Sequence, residues 1–429
     1  MCICAWTLAH PDYALILCAN RDEFLSRPTL DAHFHSFGAK ERETAEHVAG
    51  AQILSGLDIR AGGSWLGVSR SGRLCVLTNV TEPFGKYTSS RGFLIQSFLE
   101  SSASCLDIDE EMAKFTAPDE GIYAGFNLLL IAPQTTPLPT TSHIHSTTDH
   151  SHAVTPEMGA SDPRPNQPDA HSRPPQSLSM DAAFVSNYGA RGKLRGAVLT
   201  EEERRSAGCF SNDDVGLKGS SWPKVTRLKR LFEEALQEHD RSHGKHGCES
   251  TSAEALDSDL GREPSGDDER LASRLFQCLS WRSVEQVRER SDLRRTVRVD
   301  PVGIPIKQAE VAQAAVAPTS IPPPSRTEAY GTRLSTVILI RKDGNILFIE
   351  RDIWKVDAPP SNAGQSASRG DLALRSDEMS HRESSHEPMA GRIEKSARSH
   401  GVTQDSQSKV PYMGDSSGDR VFRFRVDLS

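Results

Sequence analysis

Two features near the start of the chain carry chemistry: the opening Met1-Cys2-Ile3 and the charged run Asn20-Arg21-Asp22-Glu23. A residue as small as cysteine usually lets the initiator methionine ahead of it be removed. Cys2 would then hold a thiol and a free α-amine on one residue. An α-amine titrates near about 8 and a thiol near about 8.5, so at neutral pH the amine can accept the thiol proton, directly or through a water. The resulting thiolate attacks amide or ester carbonyls. Small second residues are common, so position alone implies little. The charged run adds context, because Asp22 can hold the α-ammonium and Arg21 can lower the thiol pKa. The plainer reading of that run is a solvated strand end with an internal ion pair.

Other candidates are weaker. Cys2-x-Cys4 can meet a soft metal, but no second Cys pair or Cys/His pair has zinc-like spacing, so no metal site is expected. His143, His145, His150 and His152 lie in a polar stretch, where weak adventitious metal binding is the most to expect. Lys224, Arg227, Lys229 and Arg230 form a basic helix face, read as solvated and balanced by Glu233 and Glu234. Trp65, after Gly62-Gly63-Ser64, reads as core or pocket wall, and no phosphate-loop spacing accompanies the glycines.

The elements that must position these residues are short strands and a few helices. Cys2 to Leu8 and Tyr13 to Ala19 are apolar runs joined across His10-Pro11-Asp12, a plausible hairpin turn. Ser64 to Ser69 and Arg73 to Asn79 pair around Ser71-Gly72, and Thr336 to Arg341 and Asn345 to Glu350 pair across Asp343-Gly344. Gly125 to Ile131 reads as a fully buried strand. Phe422, Phe424 and Val426 alternate with charged residues, as in a half-exposed closing strand. Helical spacing appears at Leu94, Ile95, Phe98 and Leu99. It recurs from Val225 to Leu236, with Pro223 suited to the first turn, and from Leu271 to Leu279. Antiparallel hairpins with a few helices make the fold class α+β.

Composition limits how much of the chain is core. Of 429 residues, 36% are apolar and 6% aromatic, and the mean hydropathy of -0.48 is lean for a fully packed chain. Residues 133–180, 238–268, 310–327 and 356–419 are polar, Ser/Pro-rich or charged, and read as disordered insertions that bury too little to offset their ordering entropy. Their removal leaves a single domain of roughly 250 to 300 residues. The formal charge of -8 argues against nucleic acid or an anionic membrane as a general partner. No secretory signal or transmembrane segment is visible, since no apolar run approaches the roughly 20 residues a span needs. Eight cysteines in such a chain read as free thiols of a reducing compartment, so a cytoplasmic protein is expected.

The tetrapeptide Asn20 to Glu23 after Met1-Cys2-Ile3 resembles the signature of the NRDE family, also called the Transport and Golgi organisation protein 2 family. Further blocks match in order. They are Gly62 to Gly67, Leu77-Thr78-Asn79, Gly125 to Leu128, Val198-Leu199-Thr200, Gly208 to Asn212, Trp222 to Val225, Tyr330 to Arg333, Thr336 to Arg351 and the closing strand. On these blocks the chain is identified as a member. The resemblance implies a four-layer αββα sandwich, similar to N-terminal-nucleophile hydrolases such as the choloylglycine hydrolases and penicillin V acylases. It further implies Cys2 as nucleophile with Asp22 on its α-amine. Asn79 and Asn212 would be the asparagines that steady the amine and form the oxyanion hole, and Arg333 the arginine that completes the site. An amide donor aimed at a developing oxyanion is chemically coherent with that role.

Two departures stand out. The hydrolases carry an arginine three residues before the aspartate, where this chain has Ala19. Arg21 is the candidate replacement, with the expectation that it points to a different face of the strand. An enlarged segment, Asp213 to Ser221, follows Asn212. The family is associated with Golgi organisation and protein secretion, and some members with mitochondria and with haem or acyl-lipid handling. Two functions follow as expectations. One is a pocket that binds or transfers a small-molecule, lipid or haem ligand, Golgi- or mitochondria-associated and with no resident cofactor. The other is a Cys2-dependent amidohydrolase acting on non-peptide C–N bonds.

Overall fold

The computed structural model describes residues 1–38, 51–82, 85, 87–101, 107–115, 123–134, 177–189, 193–217, 220–246, 266–305, 327–356, 411–414 and 416–427. In chain order the first elements are β1 (Ile3–Thr7), β2 (Tyr13–Phe24), β3 (Thr29–His35), β4 (Ile53–Asp58), β5 (Leu66–Ser69) and β6 (Leu74–Asn79). Next come α1 (Gly92–Leu99), α2 (Ile108–Phe115), β7 (Phe126–Pro133), β8 (Met180–Ser186), β9 (Arg195–Val198), α3 (Glu201–Arg205) and β10 (Gly208–Phe210). The rest are α4 (Pro223–His246), α5 (Gly266–Leu279), β11 (Val302–Pro305), β12 (Thr327–Arg341), β13 (Asn345–Asp352), β14 (Trp354–Lys355), β15 (Tyr412–Met413) and β16 (Arg420–Arg425).

Two antiparallel sheets hold the site. The first has the order β10-β1-β2-β12-β13-β16, with β11 paired to the early part of β12. The second runs β3 to β9 in sequence order, each strand beside the next. Strand alternation sorts side chains into layers. On β1 and β2, Cys4, Trp6, Leu15 and Leu17 face the second sheet and pack with Leu54, Val68, Leu129 and Ile131. Ile3, Ala5, Ile16 and Cys18 face the other way, onto Leu228, Phe232, Leu271 and Leu275 of α4 and α5. The second sheet repeats the arrangement outward, where Leu94, Ile95 and Phe98 of α1 cover Cys75, Leu128 and Leu130. The layers are therefore helices, sheet, sheet, helices, the α+β sandwich expected from the sequence.

The expected hairpins form with small changes of boundary. β12 and β13 pair around Gly344, whose φ of +90° suits glycine in a tight two-strand turn. Pro223 opens α4, and the second and third helical patterns become α4 and α5. Regular elements reach into the edges of the expected insertions. Pro133 and Met180 belong to β7 and β8, α4 continues to His246, α5 begins at Gly266, and Thr327 begins β12. Tyr412 and Met413 pair with Lys355 and Trp354. At those edges the helix and the strand pairings continue beyond the point where the apolar pattern fades. The inner parts, residues 135–176, 247–265, 306–326 and 357–410, lie outside the described residues, as do the four candidate histidines. The described residues form one compact unit, Met1–Lys355 with Pro411–Ser429. Among them, no helix is long and apolar enough to cross a membrane.

Candidate functional site

The site forms where β1 begins and β2 ends. Because Ile3 pairs with Asn20, the first two residues lie beside Arg21 and Asp22. Period-two alternation then divides the charged run. Asn20 and Asp22 face the helix layer, and Arg21 faces the second sheet.

On the helix side Asp22, which has almost no solvent exposure, gathers the N-terminus and a threonine hydroxyl. Its Oδ2 accepts from the Met1 α-ammonium at 2.9 Å, and its Oδ1 accepts from Thr332 Oγ1 at 2.6 Å. Tyr330 Oη lies 2.5 Å from the same ammonium and donates to the Asp22 carbonyl at 3.0 Å. Lys224, fully buried, donates its Nζ to the Met1 carbonyl. The Met1 side chain packs with Leu293, Val299 and Ile304, and Thr81 Oγ1 lies 3.2 Å from its sulfur. Asn20 acts as a clamp: its Nδ2 donates to the carbonyls of Leu279 and Val297 at 3.0 and 3.1 Å, and its Oδ1 accepts from Ser335. Burial lowers the pKa of the Met1 ammonium although Asp22 opposes it, and burial likewise lowers that of Lys224.

On the other side lies a small cavity lined by Cys2, Ala19, Arg21, Trp65, Leu77 and Thr78, among others. The Cys2 thiol is 3.8 Å from the Asp22 carbonyl oxygen. Burial pushes its pKa up, the nearby ammonium opposes that, and Arg21 opposes it only weakly. Trp65 stacks on Arg21, whose guanidinium carbon is 3.9 Å from the ring centroid. Gly56 makes room for that ring, since a Cβ there would sit 2.5 Å from it.

The remaining candidates are gathered unevenly. Ser211 Oγ donates to the Cys2 carbonyl at 2.6 Å, and Thr78 Oγ1 donates to the Ser211 carbonyl. Asn212 is thereby brought beside the N-terminus. Its backbone carbonyl accepts from Thr81 N, while its buried Oδ1 has no partner among the described residues. Asn79 ends β6 opposite Phe126 and does not line the cavity. Arg333 is the extra residue of a β-bulge, because Thr332 pairs with Asp22 and Leu334 with Arg21. It too lies outside the cavity lining, and it donates to the Arg27 carbonyl.

Two expectations are corrected. Arg21 does not point away from the position of Ala19: both line the same cavity, because residues two apart on a strand share a face. Lys224 is not solvated with the rest of its helix face, since its ammonium is buried against the N-terminus. Tyr330, Thr332 and Ser211 also belong to the site, although the sequence gives no signal for them beyond their place in the family blocks. Their hydroxyls are ordinary in sequence, and only the pairing of β12 and β10 with β2 and β1 brings them to Asp22 and Cys2.

The comparisons agree with this scaffold. The family model described as Transport and Golgi organisation 2 matches residues 1–355. A Bos taurus protein named "Transport and Golgi organization protein 2 homolog" is 26% identical over 350 residues, 80% of this chain and 88% of that protein. The Mus musculus "Transport and Golgi organization 2 homolog" is 26% identical over 349 residues, with the same shares of 80% and 88%. The Drosophila melanogaster "Transport and Golgi organization protein 2" is 32% identical over 145 residues, 30% of this chain and 46% of that protein. With the match running from the gripped N-terminus through β14, the chain belongs to the Transport and Golgi organisation 2 family.

Proposed function

We propose that this chain serves Golgi organisation and protein secretion by holding a small ligand, of haem or acyl-lipid type, in the cavity beside Cys2, without cleaving it. One observation carries this reading. The Cys2 thiol lines that cavity, and its hydrogen-bond contact among the described residues is the Asp22 backbone carbonyl, which cannot serve as the base that takes its proton. Burial also holds the thiol protonated at neutral pH. The test is purification of the full chain followed by mass spectrometry of the intact protein and of extracted small molecules. The reading expects Met1 retained, with a porphyrin or acyl chain carried equally by wild type and Cys2→Ala. A carried ligand that disappears in Cys2→Ala would count against it.

The second reading is a Cys2-dependent amidohydrolase acting on non-peptide C–N bonds. What favours it is the placement of Asn212, whose buried Oδ1 is uncommitted beside a Cys2 carbonyl fixed by Ser211. Its side-chain amide is free to turn a donor toward an oxyanion. This reading requires loss of Met1, transfer of the Asp22 contact to the Cys2 α-amine, and covalent trapping of Cys2 by a β-lactone. A mature chain that still bears Met1 would eliminate it.

A further inference from the structure

At the far end of β1 and β2 from Cys2, the turn between the two strands is fastened to α4 through one imidazole. His10 is buried, and both of its ring nitrogens are engaged. Nδ1 accepts from the Asp12 backbone N–H at 3.1 Å, which closes the turn. That pattern assigns the ring proton to Nε2, which donates to Asp240 Oδ1 on α4 at 3.0 Å. The ring lies against Tyr13 and His239, with centroids 5.0 and 6.0 Å away. Tyr13 in turn donates to Asp268 of α5, which Arg341 at the end of β12 holds at 2.8 Å.

This arrangement fits only the neutral ring. A second proton would have to sit on Nδ1, facing the Asp12 N–H, and the turn would lose its acceptor. Opposing effects act on that proton. Burial disfavours the charged ring and Lys342 adds a little to this, whereas Asp240 and Asp12 favour it. The Asp240 side chain is about half exposed, so water screens its attraction. Burial prevails, and the His10 pKa is lowered from the ordinary 6.5. Among the other described groups packed here, Asp268 and Arg341 neutralise each other, and His239 is a second buried imidazole. A closed form that resists the proton loses ground to an open form that accepts it as pH falls below about 6.5.

We propose that His10 is an acid-sensitive clasp: protonation of its ring releases the β1–β2 turn from the C-terminal half of α4 while the two sheets stay folded. The clasp works whatever the Cys2 cavity holds.

The test is hydrogen exchange of the full chain, read by mass spectrometry at about pH 7.5, 6.5 and 5.5, with labelling times scaled to the intrinsic amide rate. In wild type, amides of the β1–β2 turn and of α4 from Glu238 to Ser242 should open up to about tenfold more often at the lowest pH than at the highest. That ceiling is what one proton on an ordinary imidazole can supply across the interval. Amides from Leu271 to Cys278 in α5 should stay protected. His10→Asn keeps an acceptor for the Asp12 N–H in an Asx turn and cannot titrate, so the rise should vanish. Asp240→Asn removes the attraction that opposes burial and should carry the rise closer to its ceiling. His239→Gln should leave it unchanged. No rise in wild type would overturn the clasp, as would a rise that persists in His10→Asn or disappears in His239→Gln. A rise spread evenly over α5 and both sheets would assign the effect to general acid unfolding and overturn it too. Should His10→Asn fail to fold, Asp240→Asn decides, because a rise no larger than that of wild type would overturn the clasp.

Discussion

The two faces of β2 at its C-terminal end make opposite use of adjacent residues. Toward the helix layer, Asn20 and Asp22 have partners for their side-chain oxygens, and they lock β1, β12 and the end of α5 together. Toward the second sheet, Cys2 and Arg21 line a cavity, with a raised thiol pKa and an unpartnered guanidinium. Backbone alternation alone separates them. A satisfied polar network rigidifies a fold, whereas a buried polar group left without a partner is a cost that a binding site can explain. The contrast therefore predicts that substitutions of Asn20 and Asp22 on the helix side cost stability, and that truncating Cys2 on the cavity side costs little.

The largest effect should come from Asp22→Ala. It leaves the Met1 ammonium buried without its counter-charge and strips Thr332 of its acceptor. Breaking a buried ion pair from one side costs about 3–5 kcal/mol. Urea denaturation should show that loss, and a change below about 1 kcal/mol would erase the contrast. Asn20→Ala comes next. It removes three hydrogen bonds and leaves the buried carbonyls of Leu279 and Val297 and the Ser335 hydroxyl to find other partners. A cost of about 2–3 kcal/mol is expected by the same measurement.

Gly56→Ala tests the cavity side through its support. The added methyl would sit 2.5 Å from the Trp65 ring and 3.1 Å from the Leu30 carbonyl, so the ring must move. Overpacking of this kind costs about 1–3 kcal/mol. Displacement of Trp65 should also change its stacking on Arg21, seen as a shift in tryptophan emission. An unshifted emission with full stability would show that Trp65 is not held where the cavity needs it.

Residue type and spacing made part of this legible. Alternation and turn residues marked the hairpins, and the charged run near the N-terminus marked Asp22 as the holder of an α-ammonium. The ammonium it holds is that of Met1, a distinction that residue spacing does not carry. Arg21 sharing a face with Ala19 was also within reach of period-two arithmetic. Lys224 was not, because its neighbours Arg230 and Glu234 are solvated and only the approach of α4 to the N-terminus buries it. Nor was the bulge at Arg333 legible, since Gly331-Thr332-Arg333 has no local signature for an inserted residue. Burial of a charge and register of a bulge are decided by what packs against the strand.

The smallest stability effect should belong to the residue with the most reactive side chain. Cys2 is half-buried, and among the described residues its thiol makes one long hydrogen-bond contact, 3.8 Å from the Asp22 carbonyl. Cys2→Ala should therefore change unfolding free energy by less than about 1 kcal/mol, well under the two helix-side substitutions. The thiol itself reports on the cavity through pH. Its pKa is raised above the ordinary 9.0, so at neutral pH it is less ionised than a free cysteine, tenfold less for each unit of the rise. Alkylation by iodoacetamide should accordingly lag behind that of a free cysteine at pH 7 and quicken only above pH 9. In a chain that has lost Met1, the α-amine beside the thiol would carry the labelling maximum down toward neutrality. Rapid labelling at pH 7 with Met1 present would mean that burial does not govern the thiol, and the cavity side of β2 would lose its claim to differ from the helix side.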